Sequence, residues 1–363
     1  TVRPPSPVLA EVLDQLRATI AVPDEKAFRA QFITGQALQP FSPRYFSGPD
    51  VGRQENLFSF SPQFAAASQL SGLHTQEEGA AFTQALPPAG EDFRVVSPAR
   101  FESFLSHPQR FFLRERLGVE IPWAQGALQS EEPVDITDRR ALRRELYTHA
   151  GREAASLRAA GLLPGGAWGE RLFAEEAALI ESLRVREAEL AAEKLPPVDI
   201  DITVAGVNWR GALGEITTQG LVRVSLENKV YATDLLRLRF AHLLLCAQAP
   251  EGIPLQSRLL GLGGEIVLAP VSNPREALQD FAEAWLEGLS LPLPLFRRAS
   301  PLYAQKQKLE SAFTAYVGND YNSGDDEDAW INLLWRSADP CDERFVQWAD
   351  RLYGPLLDEL EQL

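Results

Sequence analysis

Three acidic side chains and one lysine are of the types that metal-dependent hydrolysis of a phosphodiester requires. Glu227 and Lys229 stand two residues apart in Glu227-Asn228-Lys229, which follows a predicted strand, and Glu215 lies on the strand before it. Glu170 comes upstream, in a predicted helix. Carboxylates bind Mg²⁺ in proteins, and a lysine beside them can orient or activate water. These four residues could therefore contribute to a divalent-metal site, if the fold brings them together.

A second group of residues has the chemistry for contacts with nucleic acid. Arg44, Tyr45 and Phe46 lie in a segment, residues 34–63, that is rich in proline, glycine and aromatic residues. Aromatic rings of this kind stack on unpaired bases. The alternative is that they anchor an ordered loop onto its own domain.

Arginines form the densest basic groups, on two predicted helices, and they are Arg110, Arg114, Arg116, Arg139, Arg140, Arg143 and Arg144. Arginine suits bidentate contacts with phosphate or carboxylate groups. We take Arg110, Arg114 and Arg116, with the three loop residues above, as the DNA-binding candidates. The alternative is a solvated helix face on which the arginines pair with neighbouring glutamates.

Other polar residues favour structural interpretations. His107 precedes a proline in an aromatic-rich helix, where a core or capping histidine is the common case. The four acids Asp325–Asp328 lack the spacing of a calcium loop and predict an acidic patch at a helix N-terminus. With only Cys246 and Cys341 and four histidines, the chain offers neither a disulfide framework nor a strong metal-binding constellation.

A mixed fold must position these residues. Alternating apolar and polar residues predict strands over 198–204, 207–217, 221–226, 256–261 and 264–268, with a hairpin-like turn at 218–220. Periodic apolar positions predict helices over 6–20, 24–32, 98–119 with an interruption at Pro108, 138–160, 168–193, 233–248, 273–288, 301–316, 326–336 and 342–362. Helices, then a small sheet, then helices indicate an α/β or α+β class.

Composition limits the function further. The 363 residues are 45% hydrophobic, which is enough for a real core, and carry a net charge of −15. An independent DNA-binding domain is usually basic, because neutralised phosphates supply much of its affinity. No apolar run approaches the roughly 18 residues of a membrane span, so we expect a soluble, cytoplasmic chain. The sequence contains no methionine, which predicts a fragment of a longer protein.

Three stretches, in this order, resemble the RecC family, the gamma chain of bacterial exodeoxyribonuclease V. They are LQPFSPRYF over 38–46, FLSHPQRFFLRERL over 104–117 and AGLLPGGAWGE over 160–170. Two shorter stretches, over 325–330 and 334–336, add to the similarity. The resemblance extends from about residue 36 to the end of the sequence.

The resemblance implies a fold, partners and a role. Residues 94–363 would form a restriction-endonuclease-like (PD-(D/E)XK-type) nuclease-like domain, catalytically degenerate, with large helical additions. Residues 1–93 would be the end of a helicase-like region with a linker over 79–93. The family implies partnership with RecB, RecD and DNA, and a scaffold that splits the duplex and guides its strands. It implies no cofactor in this chain, since Mg²⁺ and ATP are used by the partner subunits.

Active members of that fold carry Gly-x-x-Asp on one strand and Asp/Glu-x-Lys on the next. Here Gly214, rather than Glu215, stands where the first acid belongs, and strand neighbours point to opposite faces. Glu227 is expected in the loop after its strand, while Arg223 and Ser225 hold the central positions. We therefore expect no metal site in this hairpin.

Three hypotheses follow from the sequence. The leading one is a non-catalytic, DNA-handling module of a RecBCD helicase-nuclease that acts in double-strand break repair and recombination. The second, which the resemblance also implies as an alternative, is an active Mg²⁺-dependent PD-(D/E)XK nuclease that uses Glu170, Glu215, Glu227 and Lys229. The third is a standalone acidic adaptor unrelated to DNA, which would not purify together with RecB and RecD homologues.

Overall fold

The computed structural model describes residues 6–46, 57–70, 79–121, 139–190, 192–319, 322–336 and 338–361. The chain divides into two compact units, Thr1–Glu78 and Gly79–Leu363. Both contain helices, and the strands of the described residues lie in the second, so the chain has the predicted mixed α+β class. Among the described residues, no helix is both long and apolar enough to cross a membrane.

The first unit contains helices whose starts are set by polar caps. Its described helices are α1 (Pro7–Thr19), α2 (Glu25–Phe32) and α3 (Pro62–Leu70). The N–H of Leu9 donates to Ser6 Oγ at 3.3 Å, and the N–H of Ala27 donates to Asp24 Oδ1 at 2.8 Å. These bonds satisfy N–H groups that a helix start leaves unpaired, as serine and aspartate at a helix N-cap commonly do. Part of the predicted 34–63 loop, residues 47–56, lies outside the described residues.

A three-stranded sheet begins the fold of the second unit. Its strands are β1 (Val95–Val96), β2 (Val198–Val204) and β3 (Val207–Leu213), in the order β1-β3-β2. Ala205 and Gly206 join β2 to β3 with φ values of 47° and 81°, as a two-residue hairpin turn requires. Ile200, Ile202 and Trp209 are buried, so the alternation in the sequence predicted this face correctly.

A second sheet follows directly and corrects one prediction. Its strands are β4 (Ile216–Thr217), β5 (Gly220–Val224), β6 (Ser257–Gly261) and β7 (Gly264–Leu268), in the order β4-β5-β6-β7. The sequence predicted one strand over 207–217, but the chain breaks at Gly214 and Glu215. Glu215 has a φ of 62°, in the left-handed region, which cannot continue a strand. Of the predicted strand over 207–217, only the short β4 therefore pairs with β5.

Helix α9 (Ala232–Gln248) connects β5 to its parallel neighbour β6 and lies at the centre of the core. Phe240 of α9 stacks on Phe101 at 4.3 Å between ring centroids. Trp209, Phe281 and Trp285 surround Phe101 at 5.5 to 6.3 Å. All five rings are fully buried, so this aromatic cluster joins the first sheet to the helices around it.

The remaining helices are α4 (Pro98–Ser106), α5 (Pro108–Phe111), α6 (Arg140–Thr148), α7 (Ala154–Ala159), α8 (Gly166–Glu189), α10 (Pro274–Ser290), α11 (Ala299–Lys306), α12 (Leu309–Val317), α13 (Ala329–Trp335) and α14 (Glu343–Glu361). A π-helical turn, Phe112–Arg116, continues α5, and a small hairpin pairs β8 (Gly318–Asn319) with β9 (Asn322–Ser323). Two helices predicted as continuous are each divided in two. Gly151 and Gln307, both at positive φ, lie in these breaks.

The segment predicted as a linker, residues 79–93, is part of the second unit and packs against its helices. The Phe82 ring meets the Phe112 ring edge-on at 5.2 Å, and the N–H of Leu86 donates to the Ser290 carbonyl at 2.7 Å. Arg116 donates through Nη2 to the Pro87 carbonyl at 2.9 Å. The segment has little regular structure, yet it belongs to the compact body of this unit.

Candidate functional site

A polar cleft lies where the two sheets meet, at the place where the sequence suggested a metal site. Its volume is about 580 Å³. We call it the carboxylate–arginine cleft, after the charged residues in its wall, which are Glu102, Arg140, Arg144, Glu215, Arg223, Glu227, Asp234 and Arg237. They come from α4, α6, the β3–β4 turn, β5 and the start of α9, so several elements must fold together to form it.

Arg223 is the centre of this cleft. Its Nη2 donates to Glu102 Oε1 and its Nε donates to Glu215 Oε2, both at 2.6 Å. Arg237 contacts the other oxygen of Glu102 at 3.3 Å. Burial disfavours the charged form of Arg223, but the charges and hydrogen bonds of Glu102 and Glu215 outweigh it and raise its pKa above the ordinary value. One guanidinium therefore joins two carboxylates from different elements.

This arrangement satisfies the acids of the cleft with internal cations. Glu102 is buried, and both of its oxygens accept from arginine, so its negative charge is neutralised within the protein. Among the described residues, no group of three or more His, Cys, Asp or Glu side chains is placed to hold a metal ion. The arginines and carboxylates of the cleft wall thus form ion pairs with one another.

The four residues of the active-nuclease hypothesis are only partly brought together. Glu215 and Glu227 both line the cleft, and Glu227 lies in the loop after β5, where it pairs with Arg140 at 2.5 Å. Glu170 is on α8 and pairs with Arg158 of α7, outside the cleft wall. Lys229 is exposed and does not belong to the wall either.

Arg139, just before α6, and Arg143, on α6, act as a clamp on α8. Arg143 Nε donates to the fully buried Glu176 of α8 at 2.5 Å, and Arg139 reaches the same carboxylate at 2.7 Å. Arg143 also donates to the Leu226 carbonyl at 3.0 Å and to Asn228 Oδ1 at 2.7 Å. Burial alone would raise the pKa of Glu176, but the hydrogen bonds from the two arginines lower it. The clamp fixes α8 and the β5–α9 loop.

A second cavity, of about 500 Å³, adjoins the cleft and shares part of its wall. We call it the arginine cavity, and its charged side chains are Arg110, Arg140, Glu227, Asp234, Arg237, Arg297, Arg298, Asp325 and Asp328, together with His107. Here the guanidinium of Arg297 lies over the Tyr231 ring, 4.1 Å from its centroid.

Two of the three aspartates of this cavity, Asp325 and Asp328, hold helix starts. Asp325 accepts from the N–H of Arg298 at 3.1 Å and of Ala299 at 2.9 Å, at the start of α11. Asp328 accepts from the N–H of Trp330 at 2.9 Å and lies 3.2 Å from His107 Nε2. The predicted acidic patch at a helix N-terminus is thus confirmed for Asp328. Burial raises the pKa of Asp325 to about 6, against the lowering effect of its N–H donors.

His107 and the basic candidates of the following turn have different surroundings. His107 Nδ1 accepts from the N–H of Arg110 at 3.2 Å, which confirms a capping role. Arg110 is exposed in the wall of the arginine cavity, and Arg114 is exposed with Nε 3.9 Å from Glu115. Arg116 donates to the Leu289 carbonyl as well as to Pro87, so it fastens the π-helical turn to its neighbours.

The aromatic candidates of the first unit are anchored. The Tyr45 hydroxyl accepts from the N–H of Ala37 at 3.0 Å and lies 3.0 Å from Gln36 Oε1, to which it donates. Phe46 is half-buried and Arg44 is exposed. Tyr45 therefore fixes its own loop, as the structural alternative expected.

Comparison with known sequences decides the family. A sequence model of the RecC C-terminal domain matches residues 94–308, more than half of the chain. The chain belongs to the RecC C-terminal domain family. The RecBCD enzyme subunit RecC of Escherichia coli (strain K12) is 25% identical to it over 392 residues, a match that covers 97% of this chain and 33% of that protein. The chain thus spans about a third of the length of this curated relative, and the predicted resemblance is confirmed.

Three charged residues of the cleft, Glu102, Asp234 and Arg237, were not predicted from the sequence. Glu102 lies on α4 among the buried Phe101, Phe104 and Leu105. An acid on the apolar face of a helix was the signal that could have found it, because such a side chain needs a buried partner. That partner, Arg223, lies 121 residues away in the sequence, so no local pattern indicated the pair.

Proposed function

We propose that this chain is a non-catalytic, DNA-handling module of a RecC-type subunit, in which a nuclease-like fold has become a scaffold. The proposal rests on one observation above all. A guanidinium, that of Arg223, lies between the carboxylates of Glu102 and Glu215, in the cleft where a nuclease of this kind would hold its metal ion. A cation supplied by the protein itself leaves these carboxylates without the free charge that a magnesium site needs.

The nuclease-like fold is part of the proposal. Two adjacent small sheets, an acid on helix α4 and a cleft between them supply the elements that such an active site would use. In this interpretation Arg223 stands at the central position of the second strand, where an active enzyme carries an acid. Ser225 stands two residues later, where the lysine would be, so neither the metal ligand nor the lysine is supplied.

Membership of the RecC family supports a place in a RecBCD-type helicase-nuclease that acts in double-strand break repair and recombination. We propose RecB and RecD subunits and DNA as its partners, with duplex splitting and strand guidance as its role. ATP and Mg²⁺ would be used by the partner subunits. The net charge of −15 fits a module that contacts DNA locally while its partners supply most of the positive charge.

Cleavage assays test the non-catalytic part of the proposal. The purified chain is incubated with labelled single- and double-stranded DNA and Mg²⁺ or Mn²⁺, beside the variants Glu227→Ala and Lys229→Ala and the exposed control Glu251→Ala. We expect no cleavage by any of the four proteins. Metal-dependent cleavage that disappears in the Glu227 and Lys229 variants but persists in the control would establish the active nuclease instead.

Co-expression tests the partnership. The full-length protein that contains this chain is expressed with the RecB and RecD homologues of the same organism, and a tag on RecB is used for purification. We expect all three to purify together in equal amounts. A RecC-type protein that stays behind while RecB and RecD are recovered would favour the standalone adaptor.

A further inference from the structure

Arg110 and Arg297 both lie in the wall of the arginine cavity, whose volume is about 500 Å³. Within the parts of the chain that the structure describes, neither of them makes an ion pair. Arg297 lies against the Tyr231 ring, which orients a guanidinium without neutralising it. Two exposed guanidinium groups thus line one cavity, in a chain whose net charge is −15.

The carboxylates of the cavity are engaged mainly by other groups, although the charge of Arg297 opposes the rise in the pKa of Asp325. Asp325 and Asp328 accept from N–H groups at the starts of α11 and α13. Glu227 pairs with Arg140, and Asp234 lies 3.6 Å from Arg237. The wall therefore holds five arginines against four carboxylates, an excess of one positive charge. Of the three arginines that make no ion pair among the described residues, Arg298 donates to the Ser323 carbonyl, which leaves Arg110 and Arg297 for a ligand.

We propose that the arginine cavity binds the phosphate group of a nucleotide, with Arg110 and Arg297 as its ligands. A guanidinium fork matches the oxygens of phosphate bidentately, and two such groups balance a phosphomonoester or hold one phosphodiester. The volume lies within the range of small-molecule sites, so sugar and base fit beside the phosphate. This proposal rests on the nucleic-acid role proposed above, and the nucleotide is either free or part of a single strand.

Binding measurements on the whole chain test the proposal. The probe is a fluorescent oligothymidylate with a 5′-phosphate, and its anisotropy is followed at several salt concentrations. The test variant is Arg110→Gln/Arg297→Gln, and the matched control is Arg171→Gln, which removes one exposed arginine on α8 that pairs with Glu175. Circular dichroism and thermal melting establish that each variant is folded.

We expect the dissociation constant to rise about tenfold or more in the double variant and to stay unchanged in the control. The slope of log K against log salt should fall by about 0.7 in the double variant, as for one neutralised phosphate of a single strand. A double variant that binds with the affinity and salt slope of the unsubstituted chain would overturn the proposal.

Competitors distinguish the source of the phosphate from other anions. Displacement of the probe by adenosine monophosphate supports a site for free nucleotides, whereas displacement by unlabelled strands alone supports a strand site. Equal displacement by an oligoglutamate peptide would assign the cavity to acidic protein segments and end the proposal. Assembly with RecB and RecD is measured separately, so loss of the phosphate site and failure of the proposed scaffold role give different results.

Discussion

Arg223 Nη2 lies 2.6 Å from Glu102 Oε1, and this bond joins the strand β5 to the helix α4 across the cleft. Both side chains are largely buried, so each compensates for the desolvation of the other. The pair should therefore contribute to the free energy of unfolding, which can be measured.

Replacement of Arg223 by alanine should destabilise the second unit by about 3 kcal/mol, because it leaves the Glu102 carboxylate buried with only the longer contact from Arg237. The urea midpoint, read by circular dichroism, measures the loss. The control is Arg258→Ala, which breaks a more exposed pair with Glu265 and should cost less than about 1 kcal/mol. Equal losses in the two variants would contradict a special role for Arg223.

Arg143 and Arg144, which are neighbours on α6, should contribute very differently to the free energy of unfolding. Arg143→Ala should cost about 3 to 5 kcal/mol, because Glu176 is fully buried and Arg143 supplies two of its hydrogen bonds. Arg144→Ala removes an exposed side chain and should change stability by less than about 0.5 kcal/mol. Urea unfolding measures the free energy of unfolding of both variants. Similar losses for the two would show that Arg143 has no special role in holding α8.

Asp325 gives stability an unusual dependence on pH. Burial raises its pKa to about 6, above the ordinary value near 3.8, so the folded protein holds this proton more tightly than the unfolded chain. As the pH rises from about 4 to 6, the unfolded chain has already lost the proton and the folded protein must still give it up. The Asp325 contribution to stability therefore decreases through this window and stays low above it.

The variant Asp325→Asn removes this titration while it keeps an oxygen for the N–H groups of α11. At pH 8 it should be more stable than the unsubstituted protein by roughly 3 kcal/mol, and the advantage should vanish below about pH 4. Urea midpoints at pH 4, 6 and 8 provide the comparison. A difference that is constant across the three pH values would show that Asp325 does not titrate in this range.

Gly169 should resist substitution although it lies inside a helix. Alanine normally stabilises a helix interior relative to glycine by up to about 1 kcal/mol. A Cβ at position 169 would instead collide with the Pro164 carbonyl oxygen, so Gly169→Ala should destabilise by about 2 kcal/mol or more. Gly214→Ala is the control, because a Cβ there meets open space. Thermal melting separates the two, and a stabilised Gly169→Ala variant would contradict the packing described here.

Local signals in the sequence predicted much of this fold. Ser6, Asp24 and Ser97 start helices as their types predict, and the alternation over 198–204 gives β2 with its buried face. Caps and alternation are properties of adjacent residues, so they can be read without the tertiary structure.

Features that depend on distant contacts were not predictable. Nothing in the sequence indicates that Glu215 adopts a left-handed backbone, because that residue type rarely does so and the conformation is held by the surrounding strands. The pairing of Glu102 with Arg223 and the shared cavity of Arg110 and Arg297 need the full packing of α4, β5 and the segment before α11. The prediction was limited because the interacting residues are far apart in the sequence, and not because their secondary-structure propensities are weak.

The packing of residues 79–93 has a practical consequence for anyone who expresses this domain. A recombinant fragment that starts at residue 94, where the family match begins, would remove Phe82 from the Phe112 ring and the Leu86 bond from the end of α10. The newly bared aromatic surface would favour aggregation. Fragments that start at Gly79 keep this segment over the aromatic surface. They should aggregate less and be better suited to crystallisation and spectroscopy.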